Sequence, residues 1–506
     1  MILNIHSTKI KLTLGILLVI GKLTSSIAQE TFQLLFQNPH DEMAQSMIEN
    51  KNHEFIGVGF ENVKPYYEIS GRLGKIWKFK NITDTLTRTY SFHDTACAFS
   101  NIFQLGNGNY HVFCSMYEPP EFDIFSLSIV ELNEHLEIIS QKRLEIGATH
   151  LNSNLVKSFS NEYFIFGTGY WGDTLKSYVV KLDKSLNITA FKSATYPAAG
   201  DGYYMDCILS PDSSQLWTVA NFPHDGMGPH LIVYDTSFNL VKIKPFPAFM
   251  NFTAGIFEGY NHNITLKNNV VDNFIVGSIM EKMENWENNI KIGFSVLDTS
   301  MQWPQVQYIG SEDTSYYTSY ARPTFDFRST DSIFFTGTKN QISSFFPQKP
   351  SWILAGALDS DFQPHYIYYY GGDAYYHAHS MLLTSDGGSI ILADRYDKNT
   401  QGSEYDIFFL KVNNQGLITK VQQNEICPQR PFLISPNPFE NSLQIELFNE
   451  TASLTLIDLS GREVQKEILT KGVNKINTSK LHIGIYVAKV ELNHGKFYSE
   501  KIIKIK

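Results

Sequence analysis

The sequence has little positive charge and no cluster of it. Its 506 residues carry 41 Lys and Arg against 51 Asp and Glu, which gives a formal net charge of −10 at pH 7. Nucleic-acid binding needs grouped Lys and Arg side chains that displace counterions from phosphates. The sequence therefore predicts no nucleic-acid partner.

Long apolar runs are missing after the first 30 residues. No later segment approaches the roughly 20 apolar residues that a membrane-spanning helix needs. Near the start, Lys9 and Lys11 precede a short apolar run at 12–20, and the Ser-Ile-Ala sequence at 26–28 suits a signal peptidase. Residues 1–28 are predicted to be a cleaved signal peptide, and no transmembrane segment is expected.

Cysteines are few, and their pairing stays open. There are four, Cys97, Cys114, Cys207 and Cys427, and four cysteines allow three complete pairings in an exported protein. Cys97 and Cys114 flank a predicted turn at 107–108, but their unequal offset requires a bulge for a direct bridge. Four small buried thiols are the alternative.

Short sequence motifs that are typical of catalytic, metal-binding or cofactor-binding sites are absent as well. There is no nucleophile elbow, phosphate loop, zinc motif or dinucleotide fingerprint, so no cofactor and no metal are predicted. Paired carboxylates for glycoside hydrolysis stay open, because such pairs meet in space and not in sequence. Whether the protein is an enzyme is left open, with a binding role favoured.

What the sequence does contain is a repeat. An apolar strand, often ending in a small residue, recurs seven times with starts 52 to 60 residues apart, at Phe55, His111, Phe164, Leu216, Phe274, Phe334 and Ile390. A later strand in each unit closes on an Asp or Asn, usually with an apolar residue three positions on: Asn81, Asn133, Asp183, Asp235, Asp298, Asp359 and Asn413. The Asp or Asn is expected to hydrogen-bond the backbone of its own turn.

Four strands per unit at this period indicate propeller blades. The sequence thus predicts an all-β chain with a seven-bladed β-propeller over residues 29–423. Each thin sheet gains a buried core only by packing on its neighbours around the ring. A strand at 31–37 is expected to pair with the last blade and close the ring. Two stacked sandwiches are the alternative, but they do not explain seven evenly spaced copies.

A small immunoglobulin-like β-sandwich is predicted at 433–506, after a linker at 424–432. Four marks occur there in order: Pro436-Asn437-Pro438, Gly461-Arg462, a Leu-x-x-Gly-x-Tyr stretch with Gly484 and Tyr486, and a final Lys501 to Lys504. This set resembles the type A C-terminal sorting domain of type IX secretion cargo, and the repeats resemble blades of secreted propeller proteins of Bacteroidetes-type bacteria. The resemblance implies Sec export, the type IX secretion machinery as partner, and a secreted or cell-surface location.

The loops that lead into the inner strands are rich in Asp, His and Tyr. Gly-Asp-x-Tyr-Tyr occurs twice, at 200 and 372. If these loops share one rim of the channel, their tyrosines suit a glycan or peptide ligand. The candidate ligand-binding residues are His93, Asp94, His150, Asp201, Tyr203, Tyr204, Asp206, His262, Tyr316, Tyr317, Asp373, Tyr375, Tyr376, His377 and His379. A polar, water-filled channel is the alternative interpretation.

Three functions remain in competition. The favoured one is a monomeric binding or adhesion protein with a glycan or peptide at one rim. The others are a polysaccharide hydrolase or lyase, and a structural surface component without a small ligand. His377 and His379, two positions apart, could hold a metal with a third ligand such as Asp206. Ordinary surface or channel histidines are the favoured interpretation.

Overall fold

A computed structural model of the chain forms two compact units, Met1–Val421 and Gln422–Lys506. It describes residues 30–505 except 65–67, 94, 120–123, 161, 195–202, 211, 223–227, 246–262, 267–272, 282–289, 299–304, 311–313, 315, 318–323, 330–331, 342–346, 348, 400–403, 419–431, 436–438, 448–450, 459–460 and 493–496. The signal-peptide prediction at 1–28 lies outside these residues. In the described part, no helix is long and apolar enough to cross a membrane.

The first unit is built from antiparallel sheets, seven of them among the described residues. The first three sheets contain β2 (Asp41–Glu49), β3 (Phe55–Asn62), β4 (Arg72–Phe79) and β5 (Thr85–Tyr90); β6 (Ala96–Gln104), β7 (Tyr110–Glu118), β8 (Ile124–Leu132) and β9 (Ile138–Arg143); and β10 (Thr149–Phe159), β11 (Glu162–Trp171), β12 (Thr174–Leu182) and β13 (Ile188–Ala194). A single 3-10 turn, Ile69–Gly71, precedes β4.

The remaining sheets repeat the order. They contain β14 (Tyr203–Leu209), β15 (Gln215–Phe222), β16 (Gly228–Asp235) and β17 (Leu240–Pro245); β18 (Asn263–Leu266), β19 (Asn273–Glu281), β20 (Ile290–Asp298) and β21 (Gln305–Ile309); β22 (Tyr316–Tyr317), β23 (Phe325–Ser329), β24 (Ser332–Lys339), β25 (Trp352–Leu358) and β26 (Pro364–Gly371); and β27 (Tyr375–Leu383), β28 (Ser389–Tyr396) and β29 (Asp406–Val412) with β1 (Phe32–Phe36). The recurring apolar strand is always the second strand of its sheet.

These sheets contact one another in a cycle. Strand β6 packs on β2 to β4, β10 on β8, β14 on β10, β18 on β14, β22 on β20, and β27 on β24. Strands β27 to β29 then contact β2, which returns the order to its start. The prediction of an all-β, propeller-type fold is confirmed, and the seven described sheets are compatible with the predicted seven blades.

The ring closes at a seam between the seventh sheet and the first. Strand β1 pairs antiparallel with β29, so that Phe32 lies opposite Lys411 and the N-terminal segment supplies the outer strand of the last sheet. The predicted closing strand is thereby confirmed. Aromatic rings fill the seam, and the Phe79 and Phe409 ring centroids are 4.5 Å apart.

A β-bulge explains the small residue in the recurring strand. In β2, Ala44 pairs with Gly59 and Ser46 with Val58, which leaves Gln45 as an extra residue. The first strands of four other sheets have the same register shift, opposite Cys114, Gly167, Ala220 and Ala393. A Cβ on Gly59 would lie 2.0 Å from the carbonyl oxygen of Met43. The bulge therefore brings the backbone of β2 too close to Gly59 for a Cβ in the first sheet, whereas Cys or Ala occupies the same place in three other sheets.

The recurring Asp or Asn organises the turn after the third strand, as predicted. Asp235 Oδ1 accepts hydrogen bonds from the backbone N–H groups of Ser237 (2.9 Å) and Asn239 (2.8 Å). The apolar residue three positions on adopts a left-handed conformation and is buried. This holds for Leu136, Leu186, Phe238 and Phe362, with φ between 60° and 63°.

The three described cysteines are free, buried thiols: Cys97, Cys114 and Cys207. Cys97 lies opposite Met116 and Cys114 opposite Phe99, so the two cysteines are not a directly opposed pair. Their thiols are in hydrogen-bond contact, and both are free. This supports the alternative of buried thiols. Cys427 lies outside the described residues.

The second unit contains two sheets in its described part. They consist of β30 (Phe432–Ser435), β31 (Ser442–Leu447) and β34 (Gly472–Asn477), and of β32 (Ala452–Asp458), β33 (Glu463–Leu469), β35 (Gly484–Leu492) and β36 (Phe497–Lys504). One apolar cluster, which includes Leu443, Leu454 and Val490, joins them. The arrangement is compatible with the predicted small sandwich. The predicted boundaries at 28/29, 423/424 and 432/433 remain predictions.

The bulge makes a testable demand on Gly59. We expect Gly59→Ala to lower the free energy of unfolding by about 1–3 kcal/mol, because its methyl group would overlap backbone that cannot rotate away. Gly106→Ala is the matched control, since a Cβ there meets nothing within 4 Å. Denaturant unfolding of both variants checks this, and equal stability of the two would contradict the explanation.

Candidate functional site

The end of the ring at which the first strand of each sheet begins is here called the inner rim. The predicted site residues that the structure describes lie in the first strand of a sheet or shortly before it. Asp94, Asp201 and His262 lie outside the described residues. Tyr203 and Tyr204 begin β14, and Tyr316 and Tyr317 form β22.

His93 and His150 both precede or begin an inner strand and have left-handed backbones, with φ of 51° and 53°. His93 is exposed. The His150 ring meets the Tyr170 ring edge to face at 5.5 Å.

Asp206 is buried deeper in the ring. Its Oδ1 atom lies 2.5 Å from the Nζ atom of Lys157 on the neighbouring inner strand. The Lys157 ammonium is also stabilised by the charge of Asp326, from the sixth sheet. Burial lowers the pKa of Lys157, but these acidic neighbours more than offset that effect, and the net pKa is raised. Asp206 therefore belongs to an ion pair.

Five of the predicted residues lie in strand β27 or directly before it. Tyr375 and Tyr376 are only 5% and 4% exposed, and the Tyr376 ring packs 5.2 Å from that of Phe408. Buried Ser351 fixes the strand, because its Oγ accepts from Tyr376 N–H and donates to Tyr376 C=O, each at 2.6 Å. The two tyrosine rings therefore serve the core, and neither offers an open face to a ligand.

Arg395 organises a polar group around it, which we call the Arg395 cluster (Asp373, Tyr376, Arg395 and Asp397). Arg395 Nε donates to Tyr376 Oη at 3.1 Å, and Nη2 lies 3.1 Å from Asp373 and 3.5 Å from Asp397. Tyr376 Oη donates to Asp373 Oδ1 at 2.9 Å. The Asp373 side chain is 62% exposed and that of Arg395 is 12% exposed. The cluster thus presents a carboxylate held in a fixed position.

One step along the same strands lies the histidine site, formed by His377, His379 and Asp394. His377 is opposite Asp394 in the strand register, and His379 Nε2 and Asp394 Oδ2 are in hydrogen-bond contact. One donor atom from each of the three residues lies within 4.8 Å of the others. The third member is Asp394, in place of the Asp206 suggested by sequence.

Acidic groups of the first sheet adjoin this site. The pKa of Asp41, at the start of β2, is raised to about 7, first by burial and also by the charge of Asp394. Strand β2 of the first sheet and strand β28 of the last sheet therefore place two buried carboxylates near each other at the seam.

A second polar group lies at the seam, and we call it the carboxylate cluster (Asn38, Glu42, Glu61, Lys75 and Asp406). Lys75 Nζ lies 2.5 Å from Glu61 and 3.2 Å from Glu42, and Asn38 Nδ2 donates to both carboxylates. Burial raises the pKa of Glu42 to about 7 despite these bonds, and that of Asp406 to about 6.

At the other end of the seam, residues of the sixth and first sheets hold the turn at 384–388 between them. Arg328 of the sixth sheet donates to the carbonyl oxygens of Thr384, at 2.7 Å, and of Gly387. From the first sheet, Glu49 Oε2 accepts from Ser385 N–H at 2.7 Å. A cavity of about 590 Å³ lies beside this turn.

Ser385 of this turn is in contact with a histidine and a glutamate from the first sheet. His53 Nδ1 lies 2.8 Å from Ser385 Oγ and 3.0 Å from Glu49 Oε1. Both partners meet one ring nitrogen, whereas a relay needs the acid and the serine on opposite nitrogens. The contact is structural.

In the second unit the predicted sorting marks take defined places. Gly461, with φ of 82°, closes the turn in which Asp458 Oδ1 accepts from Arg462 N–H at 3.0 Å. Gly484 begins β35 opposite Lys504, and Tyr486 Oη donates to His482 C=O at 2.7 Å. Pro436, Asn437 and Pro438 lie outside the described residues, and Lys501 lies in β36.

Lys504 connects two of the marks. It is 3% exposed, its Nζ atom donates to the Glu440 carbonyl, and it lies 5.8 Å from the Phe439 ring centroid. Phe439 N–H also donates to Ile503 C=O at 2.8 Å. The final strand is thereby fixed to the segment that directly follows Pro436-Asn437-Pro438.

Comparison with known proteins identifies this unit. Residues 433–506 match the family described as the secretion system C-terminal sorting domain. The predicted type IX sorting domain is thus confirmed, and it marks the protein for export to the cell surface. A search of curated protein sequences gives no significant match.

Solved structures resemble the chain only distantly. PorZ, a surface component of the type IX secretion system of Porphyromonas gingivalis, is 11% identical over 86% of this chain and 69% of its own, with a TM-score of 0.30. The β-propeller domain of the Trilobed protease from Pyrococcus furiosus is 11% identical (77% and 99% covered, TM-score 0.40), and the polysaccharide lyase Uly1 is 10% identical (75% and 91%, TM-score 0.41). At these scores they carry no argument about activity.

The raised pKa of Glu42 predicts a pH effect. A carboxyl group whose pKa is higher in the folded state stabilises the fold below its unfolded value, and this contribution is lost as pH rises through the folded value. Between pH 5 and 8 we therefore expect wild type to lose stability relative to Glu42→Gln, by on the order of 3 kcal/mol at most.

Urea unfolding of both proteins across this range measures the difference. Exposed Glu134→Gln, in the turn after β8, is the control for removing one carboxyl group from the surface. A stability difference between wild type and Glu42→Gln that does not change with pH would contradict the prediction.

Proposed function

We propose that the protein is a cell-surface binding protein whose ring holds a glycan or peptide at the inner rim, next to the Arg395 cluster. The sorting domain at 433–506 delivers the ring to the surface. The proposal concerns what the ring does there.

The observation that carries this proposal is the rigidity of the Arg395 cluster. Asp373 is bonded by both Tyr376 and Arg395, and Ser351 holds the backbone of Tyr376. An exposed polar group that is already fixed loses little conformational entropy when it binds. The exposed Asp373 carboxylate is thus held by two side chains, one of which is itself fixed by Ser351, and this pre-ordering is what a ligand site needs.

The chemistry of the cluster favours a ligand rich in hydroxyl or amide groups. The Asp373 carboxylate accepts hydrogen bonds, and the partly exposed Arg395 guanidinium donates them. A sugar hydroxyl or a peptide amide can both donate and accept, so either satisfies the pair. The buried tyrosine rings add no stacking face, and recognition here is by hydrogen bonds.

An enzyme acting on polysaccharide is the second candidate, and one observation favours it. Asp41 is a buried carboxyl group with a pKa of about 7 near a second carboxylate, Asp394. A group that titrates near neutral pH suits general acid–base catalysis. The binding experiment below separates the two functions.

Binding at the rim is tested with the purified ring-containing protein on glycan and peptide arrays. Asp373→Asn and Arg395→Lys should each weaken binding of the selected ligand at least tenfold. The first change removes the charge of the hydrogen-bond acceptor, and the second removes the guanidinium donors. Glu134→Gln, on the opposite end of the ring, should bind as wild type does.

Product analysis of the same ligand decides between binding and catalysis. Capture without cleavage supports the proposal. Release of shortened sugars makes the protein an enzyme, and equal binding by all three variants moves the site away from the Arg395 cluster.

Sorting has a separate test. Deletion of 433–506 should leave the ring in the periplasm, since the domain directs passage across the outer membrane. Lys504→Ala should reduce export, because it removes the bond to the Glu440 carbonyl, whereas exposed Lys480→Ala should not. Cell-fraction immunoblots measure this, and surface delivery of the deletion variant would refute the assignment.

A further inference from the structure

We propose that the histidine site binds one transition-metal dication of the zinc class through His377, His379 and Asp394. This inference does not depend on the proposed ligand at the Arg395 cluster. It rests on the way two strands bring three metal-ligating groups together.

The bulge creates the site. His379 is the extra residue between the pairs Ala378–Ala393 and Ser380–Leu392. The bulge re-aims its side chain, and the ring centroids of His377 and His379 lie 4.5 Å apart at an interplanar angle of 58°. Bulges are frequently used to redirect a side chain next to a functional site.

The neighbouring strand adds the third ligand. Asp394 lies within β28, after its apolar residues 390–393, and is opposite His377 in the register. The donor atoms lie within 4.8 Å of one another. Zinc bonds of about 2.0–2.2 Å require ligand atoms about 3.3 Å apart in a tetrahedron. Small side-chain rotations suffice to reach that geometry.

Burial and charge also favour a cation. His379 and Asp394 are each 4% exposed, and Asp41 of the first sheet, 5% exposed, is close enough to feel the charge of Asp394. Two buried carboxylates in one region repel each other and have lost hydration. A bound dication would compensate both charges.

The donor set selects the kind of metal. Imidazole nitrogens suit Zn²⁺, Co²⁺, Ni²⁺ and Cu²⁺, whereas Ca²⁺ and Mg²⁺ prefer sets made of oxygen atoms. Three protein ligands leave a fourth position for water or a ligand group. His377 is only partly buried, so an ion can reach the site without unfolding the strand.

A simple hydrogen-bonded pair of His379 and Asp394 is the competing explanation. It accounts for two of the three groups and needs no metal. His379→Gln distinguishes the explanations, because the amide can still donate to Asp394 but is a poor zinc ligand. If the site binds metal, this variant keeps the fold and loses the ion.

The test uses the tag-free secreted protein after treatment with EDTA. Calorimetric titration with Zn²⁺ should show one equivalent bound at micromolar affinity or better, and Co²⁺ should give the visible absorption bands of a low-coordinate nitrogen and oxygen site. His377→Ala, His379→Gln and Asp394→Asn should each weaken Zn²⁺ binding at least thirtyfold. Exposed His135→Ala and His365→Ala are the matched controls and should bind as wild type.

Thermal unfolding keeps the result decisive. Zn²⁺ should raise the melting temperature of wild type and of the controls, since a ligand that binds only the folded state stabilises it. It should leave that of His379→Gln unchanged. Absence of stoichiometric binding by wild type, or unchanged binding by His379→Gln and Asp394→Asn, would overturn the site. Neither result bears on the array experiment, which needs no metal.

Discussion

The pairing of β1 with β29 is the constraint on which the ring depends. Each sheet is too thin to bury both of its faces, so it needs a neighbour on either side. The last and first sheets become neighbours only when the segment at 32–36 returns to complete the seventh sheet, with Phe32, Phe79 and Phe409 filling the gap. Arg328 and Glu49 then hold the turn at 384–388 from both sides, which fixes the seam at its other end.

Polar chemistry is concentrated at this same seam. Glu42, Asp41 and Asp406 are buried there with raised pKa values, beside the histidine site and the Arg395 cluster. Buried carboxylates oppose stability at neutral pH, and aromatic packing around Phe79 offsets them. At the seam, the N-terminal part of the ring meets its C-terminal part. Side chains that are distant in sequence can therefore lie side by side there, while the repeat elsewhere is unchanged.

The repeat could be predicted from sequence because it is local: an apolar strand, a turn fixed by Asp or Asn, and a period of 52 to 60 residues. The site could be predicted only in part. His377 and His379 were visible, but their neighbour Asp394 was not, since the register that pairs it with His377 depends on a bulge. Tyr375 and Tyr376 resembled ligand contacts in composition, yet both are buried. Tyr376 packs against Phe408 and is bonded by Ser351, partners 25 or more residues away. A useful signal was available in retrospect: Asp394 and Arg395 are charged residues within β28, directly after its apolar run at 390–393.

Closure of the ring by the N-terminal strand β1 also has a consequence for molecules in which the ring is not complete. Phe32 and its partner Lys411 are separated by almost the whole ring sequence. The outer edge of β29 is therefore unpaired until β1 binds to it. Unpaired edges invite strands from other molecules. A molecule nicked near residue 37 could release β1 and accept the same segment from a second copy, which would turn a self-contained ring into an exchanged dimer.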